Sequence, residues 1–298
     1  MTGGLRRKLA RFTMRRRVAR YGNNHSRDIN LHYRAYHEAA QAAFDPKRHP
    51  ISAAAQAQAE TLARDGFLVL PPEDGQRTPA AELGARVDMA LADPGNCYPV
   101  SAGMIRLIDG SDMFPELFAL LRGRVEDVIH AYFLSYFKIF SATLYRTVPD
   151  DSVPESSFLW HFDNAPDQQI KAMIYLDDTV RDTGAFRFKS RAVSEQARSR
   201  GFWHRDDYDL ARPVFDDETT THTIEGPPGT VILFQPGRVV HKATAPRHGH
   251  RDVAVLVINP SKAYWREHLA RHRHLLSTNA GLCLNLDTDL PENMGYRF

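Results

Sequence analysis

The chain has 298 residues, 43% hydrophobic and 25% charged, with a formal net charge of +2. That balance belongs to a globular protein with a real core, excludes a disordered or fibrous chain, and at this length fits one catalytic domain with additions. The two cysteines, Cys97 and Cys283, have no metal-ligand spacing, and the most continuous apolar run, Val253 to Ile258, falls far short of the roughly 20 residues that span a bilayer. No apolar stretch of a signal peptide follows the basic N-terminus, so a reducing, cytoplasmic setting is expected.

In chain order, residues 1–27 come first, with nine Lys or Arg and no acid. Leu5, Leu9 and Phe12 share one helical face while Met14, Val18 and Tyr21 fall nearly opposite, so no apolar stripe persists. The segment reads as a solvated basic arm, with peripheral contact to an anionic membrane as the second reading. No aromatics are interleaved for base stacking, and no nucleic-acid partner is expected. Residues 29–64 read as helical, the second piece capped by Ser52 and ended by Gly66. These segments make up an N-terminal region, 1–64.

Phe67 to Leu70 reads as a buried strand stopped by Pro71 and Pro72, and helices are predicted over about 80–92 and 114–132. Beyond residue 135 the texture changes. Tyr136 to Val148, Ile170 to Leu176, Gly184 to Phe188, His222 to Ile224, Thr230 to Phe234, Val239 to Thr244 and Val253 to Ile258 are strand-like and separated by Pro, Gly, Asp and Thr clusters. That rhythm predicts a mainly β domain, 65–262, of sandwich or barrel type with the N-terminal helices packed against it. The remainder, 263–298, is a helix from Ala263 to Leu276 and a tail.

The chemistry concentrates in Trp160-His161-Phe162-Asp163. On a strand His161 and Asp163 project from one face while Phe162 turns away, so imidazole and carboxylate can chelate one ion. His241 follows 80 residues later, just beyond a predicted strand and turn. Two histidines and one carboxylate are the ligand set that leaves open positions on iron(II) for a chelating cosubstrate and O2. Arg251 lies ten residues further on, where a hairpin through Pro246 to Gly249 would return it beside His241 as a planar fork for a dicarboxylic acid.

These pieces, with Asp65-Gly66-Phe67, Asp177-Asp178-Thr179 and Thr183-Gly184-Ala185-Phe186, resemble the phytanoyl-CoA dioxygenase-like branch of the iron(II)/2-oxoglutarate oxygenases over residues 65–260. The resemblance implies a double-stranded β-helix (jelly-roll, cupin-like) core, Fe(II) with 2-oxoglutarate and O2 as cosubstrates, succinate and CO2 as coproducts, and hydroxylation of a small molecule. Asp163 stands where halogenating relatives lack a carboxylate. The chain departs from the pattern at Phe188-Lys189-Ser190-Arg191, where many relatives have Pro-Gly-Ser-His, and at Ala243, where many have a hydroxyl; Thr244 is the remaining candidate to help Arg251 hold 2-oxoglutarate. Tyr175, Lys171 and Tyr145 are pocket candidates, weighed against core packing for Tyr175 and a solvated strand end for Lys171. Lys138, Arg146, Lys171, Arg187 and Lys189 on or near strands point either to an anionic substrate or to a basic sheet edge. Two other readings stay open: a non-catalytic jelly-roll that binds a ligand, and a cupin-type iron enzyme that needs no 2-oxoglutarate.

Overall fold

The structure, a computed structural model, describes residues 27–152, 155–163 and 165–272. The basic arm and the end of the chain beyond His272 lie outside the described residues. Helices Arg27–Ala43 and Ala53–Asp65 precede the first strand. The second begins where Ser52 Oγ accepts from the Ala55 N–H at 3.1 Å, and it ends at Gly66, whose φ of 84° is left-handed and whose N–H donates to the Leu62 carbonyl.

Among the described residues ten strands follow: β1 (Phe67–Leu70), β2 (Cys97–Ser101), β3 (Met104–Leu107), β4 (Tyr136–Thr147), β5 (Ile170–Tyr175), β6 (Phe186–Lys189), β7 (Thr221–Ile224), β8 (Val231–Phe234), β9 (His241–Lys242) and β10 (Arg251–Ser261). They form two antiparallel sheets, a large one in the order β1-β8-β5-β10-β4-β3-β2 and a small one in the order β7-β6-β9. This is the jelly-roll core that the resemblance implies.

Strand alternation sorts the side chains into layers. Ile170, Ala172 and Ile174 of β5 and Ala254, Leu256 and Ile258 of β10 face outward into a core shared with helices Ala53–Asp65, Arg77–Leu91 and Arg124–Phe133. Met173, Tyr175 and Val253 face inward and meet Phe186, Phe188 and Val239 between the sheets. Behind the small sheet, Trp160, Phe162 and Val240 pack on helices Arg191–Ser199 and Tyr208–Phe215.

Two local expectations are corrected and one open choice is narrowed. The helix predicted over 114–132 is broken: Pro115–Leu121 is a 3-10 segment, and Gly123, at φ 75° and ψ −131°, separates it from helix Arg124–Phe133. The break lets the Glu73 carboxylate accept from the Arg124 N–H, and a Cβ at Gly123 would come within 2.8 Å of that carboxylate. The chain around His241 forms no hairpin: β8 belongs to the large sheet, β9 to the small one and β10 to the large one again. Finally, most of the basic strand residues have structural partners. Arg146 pairs with Asp252 and Asp88, Arg187 with Glu218, and Lys189 donates to the Asp217 carbonyl and to the Thr220 and Thr221 hydroxyls. Lys138 is buried beneath the Tyr36 ring. Lys171 alone of the five lines the central cavity.

Gly66 ties the N-terminal helix to the turn that precedes His241. Its carbonyl accepts from the Gln235 N–H, and a Cβ there would lie 2.0 Å from Val239 Cγ1. Positive φ and overpacking together make Gly66→Ala destabilising by about 2–4 kcal/mol, checked by urea denaturation. A second prediction concerns Glu126, which accepts from Tyr264 Oη, Trp265 Nε1 and Arg266 Nη2 and so anchors helix Trp265–His272. Burial raises its pKa, but the nearby His130 ring and these donors outweigh burial and bring it from the ordinary 4.5 down to about 2. The stabilisation it gives is therefore complete above pH 4.5 and lost as pH falls toward about 2. Glu126→Gln should flatten that acid limb in pH-dependent thermal melts.

Candidate metal centre

His161 and His241 face each other as an antiparallel bridge between segments of the small-sheet layer. The His161 N–H donates to the His241 carbonyl at 3.1 Å, and the His241 N–H donates back at 3.0 Å. Residues paired in this way project on the same side, which brings the ring centroids to 4.4 Å. Asp163, two residues on, has its N–H held by the Pro236 carbonyl at 2.8 Å. Its carboxylate lies 3.6 Å from His161 Nε2 and 3.7 Å from His241 Nε2.

The protonation pattern suits a cation. His161 Nδ1 sits 2.7 Å from the Leu159 carbonyl and His241 Nδ1 2.9 Å from the Val239 carbonyl. A carbonyl only accepts, so in each neutral ring the proton is on Nδ1 and the Nε2 lone pair is presented to the centre. Burial lowers the pKa of both rings, that of His161 to about 3 with the neighbouring His241 as the second cause. Burial works the other way on Asp163, but the Lys171 ammonium and the two rings outweigh it and hold the carboxyl well below its usual range. Three deprotonated donor groups, all within 4.8 Å of one another, thus converge on one point. Two nitrogens and a carboxylate oxygen with an open side fit iron(II) or a similar divalent ion.

Arg251 is fully buried at the start of β10 and lines the same cavity. Its Nη1 donates to the Gly184 carbonyl and its Nη2 to Thr147 Oγ1 at 3.0 Å, while its Nε has no partner. Among the described residues no carboxylate forms an ion pair with it. Thr147 stands directly opposite Arg251 in the β4–β10 register, so strand pairing delivers this hydroxyl. Sequence reasoning missed Thr147, because the pairing of β4 with β10 spans a hundred residues.

The other candidates are distributed differently. Lys171 lines the cavity, its Nζ 2.5 Å from Asp163 Oδ2, and Tyr145 lines it as well. Tyr175 points inward but not into the cavity: its hydroxyl donates to the Ile224 carbonyl at 2.8 Å and accepts from the Phe186 N–H at 3.2 Å, pinning one sheet to the other, and burial pushes its pKa up to about 12. Thr244 sits in an adjoining cavity with Ala102, Asp150 and Lys242; Ala243 borders both spaces. Val100 and Met104, from two strands for which the sequence pattern predicted no element, also line this cavity. A second group of ligand types, Asp88, His250 and Asp252, is filled by the Arg146 guanidinium, which contacts both carboxylates and lies 3.4 Å from His250 Nε2.

A scan against models of known families and a search of curated proteins both find no match to this chain. Solved structures do match. The epimerase SnoN from nogalamycin biosynthesis, in complex with Fe3+, alpha ketoglutarate and nogalamycin RO, is 19% identical over 72% of this chain and 86% of its own, with a TM-score of 0.52. The non-haem alpha ketoglutarate dependent carbocyclase SnoK, from the same biosynthesis, is 16% identical over 74% and 91%, also at 0.52. EctD from S. alaskensis with bound Fe is 20% identical over 70% and 77%, at 0.50. The chain has the fold of these enzymes. At such identities the likeness speaks for the fold alone, and the chemistry has to be argued from the site.

If the three donors hold one ion, His161→Ala and His241→Ala should each weaken Co(II) binding by more than the 10- to 100-fold that loss of an outer-sphere partner costs. Titration calorimetry would read this, with Asp88→Asn unaffected. Wild-type affinity in either histidine variant would remove this ligand set.

Proposed function

We propose that the protein is an iron(II)- and 2-oxoglutarate-dependent oxygenase that hydroxylates a small molecule, in the manner of the phytanoyl-CoA dioxygenase-like branch. The observation that carries the reading is Arg251: a fully buried guanidinium with no carboxylate partner among the described residues, in a cavity lined by His161 and Asp163, with His241 completing their donor group. Burying a charge without a counter-ion costs several kcal/mol unless a ligand supplies one. A dicarboxylic 2-oxo acid that chelates the metal at one end supplies it at the other. A simple ligand-binding jelly-roll, or an iron enzyme without 2-oxoglutarate, gives Arg251 no comparable task.

In this reading His161, Asp163 and His241 hold the metal on one face. Arg251, oriented by Thr147 Oγ1 and the Gly184 carbonyl, takes the far carboxylate of 2-oxoglutarate. Bound iron(II) would supply the redox centre, with O2 as the four-electron oxidant: two electrons come from 2-oxoglutarate, which leaves as succinate and CO2, and two from the substrate that is hydroxylated. Met173, Phe186, Phe234, Val253 and Val255 make the cavity wall apolar and keep water from the reacting carbon. Asp163 is a carboxylate where halogenating relatives lack one, which favours oxygen transfer over halogenation. The epimerase and carbocyclase chemistries of SnoN and SnoK show that this fold also hosts other outcomes.

Two charge-assisted hydrogen bonds at roughly 1.5–3 kcal/mol each make Arg251→Ala raise the 2-oxoglutarate needed for half-maximal succinate formation by about 100-fold or more. Arg251→Lys should recover part of this, since an ammonium lacks the fork. Arg247→Ala, at an exposed residue paired with Asp182 at 3.2 Å, should change nothing. Equal 2-oxoglutarate requirements in Arg251→Ala and wild type would sink the assignment.

A further inference from the structure

The cavity holds a second cation, for which the oxygenase reading has no use. Lys171 opens β5, and its Nζ lies against the one carboxylate that lines the cavity, Asp163, with a separation of 2.5 Å. Sheet register fixes where it stands relative to Arg251. Lys171 is opposite Val257, and Arg251 lies six residues earlier on β10, on the same inward face. At about 3.4 Å per residue, that is roughly 20 Å along the sheet between the two main-chain positions. A five-carbon diacid that chelates the metal and reaches Arg251 therefore extends away from Lys171. The ammonium stays beside Asp163, that far along the sheet from the main chain of Arg251.

The charges point the same way. The two buried rings are neutral, Asp163 carries one negative charge, and Lys171 and Arg251 carry one positive charge each. A divalent ion and a dianionic 2-oxo acid cancel one another, so the loaded cavity retains one uncompensated positive charge in apolar surroundings. Once a metal draws on Asp163, the carboxylate's hold on the Lys171 ammonium weakens, and none of the other residues lining the cavity is acidic. At Lys171, whose side chain is partly buried, such a positive charge is relieved by an anion brought in with the ligand.

We propose that Lys171 forms an anion subsite on the substrate side of the metal, and that the substrate presents an anionic oxygen group, carboxylate or phosphate, to it. This rests on the oxygenase reading. The same residue is then specificity-determining: it selects among small molecules by charge and places the anionic end near the metal, so that oxidation falls on a carbon a fixed distance from that end.

The test uses the full chain loaded with Co(II) and 2-oxoglutarate, at constant ionic strength so that general screening does not vary. The Co(II) and 2-oxoglutarate spectrum is recorded first; failure of wild type to form that chelate would overturn the oxygenase reading, and this one with it. Sodium acetate and inorganic phosphate are then titrated in separately, reading the Co(II) d–d absorption and the melting temperature. Wild type should show a saturable response to at least one, and the anion with the lower half-saturation identifies the group recognised. Lys171→Met should raise that half-saturation at least tenfold, and Lys171→Arg should restore most of the loss, which a merely structural role for Lys171 would not produce. An equal anion response in wild type and Lys171→Met would mean that Lys171 only steadies Asp163, or that the anion sits on the metal. Either result overturns the proposal, as would no response in wild type, or an equal response to neutral acetamide.

Discussion

The reciprocal pair of main-chain hydrogen bonds between His161 and His241 is the constraint on which the rest of the site depends. It joins residues 80 apart in the chain into one bridge, so that two imidazoles leave the backbone on the same side. Each ring then turns its Nδ1 toward a carbonyl two residues back in its own strand, Leu159 for His161 and Val239 for His241. The tautomer, the ring orientation and the direction of the free lone pair all follow from local backbone geometry. The site is thereby preorganised by the protein and needs no ligand to assemble it.

Around this bridge the structure separates charges that build the fold from charges that face the cavity. Arg146, Arg187 and Lys189 are satisfied by nearby carboxylates, carbonyls and hydroxyls, and the Arg146 cluster even imitates a metal site while holding a guanidinium in place of an ion. Arg251 and Lys171 differ in kind. One is buried against neutral acceptors only, and the other rests on a carboxylate that a metal would share. Both line one cavity, and six residues of β10 separate Arg251 from Val257, the register partner of Lys171.

The adjoining cavity around Thr244 shows how small displacements along a strand redirect function. Ala243 borders both the central cavity and the neighbouring space, whereas Thr244 and Lys242 line only the neighbouring one. The hydroxyl beside Arg251 comes instead from Thr147, on a strand that enters the large sheet more than a hundred residues earlier. Tyr175 illustrates the complementary case: its inward direction follows from strand parity, but its depth beside Ile224 and Phe186 makes it a bolt between the sheets.

Much was legible in the chain itself. The two-residue spacing in His161-Phe162-Asp163, the alternating strands after residue 135, Ser52 and Gly66 as helix ends, and the basic residue at 251 can all be read from local periodicity and side-chain chemistry, since these properties extend over a few residues. Other features could not be read in this way. The Cys97–Ser101 and Met104–Leu107 strands carry weak patterns of their own and are held by pairing with β4. The Gly123 break depends on Glu73, some fifty residues away. The partner of Arg251, the ion pair of Lys171 and the separation of the two cations depend on strand order and register across the large sheet. Residue types and spacing decided which groups are available for chemistry; only the tertiary structure decided which of them meet, because antiparallel pairing and sheet crossing join positions that no local periodicity relates.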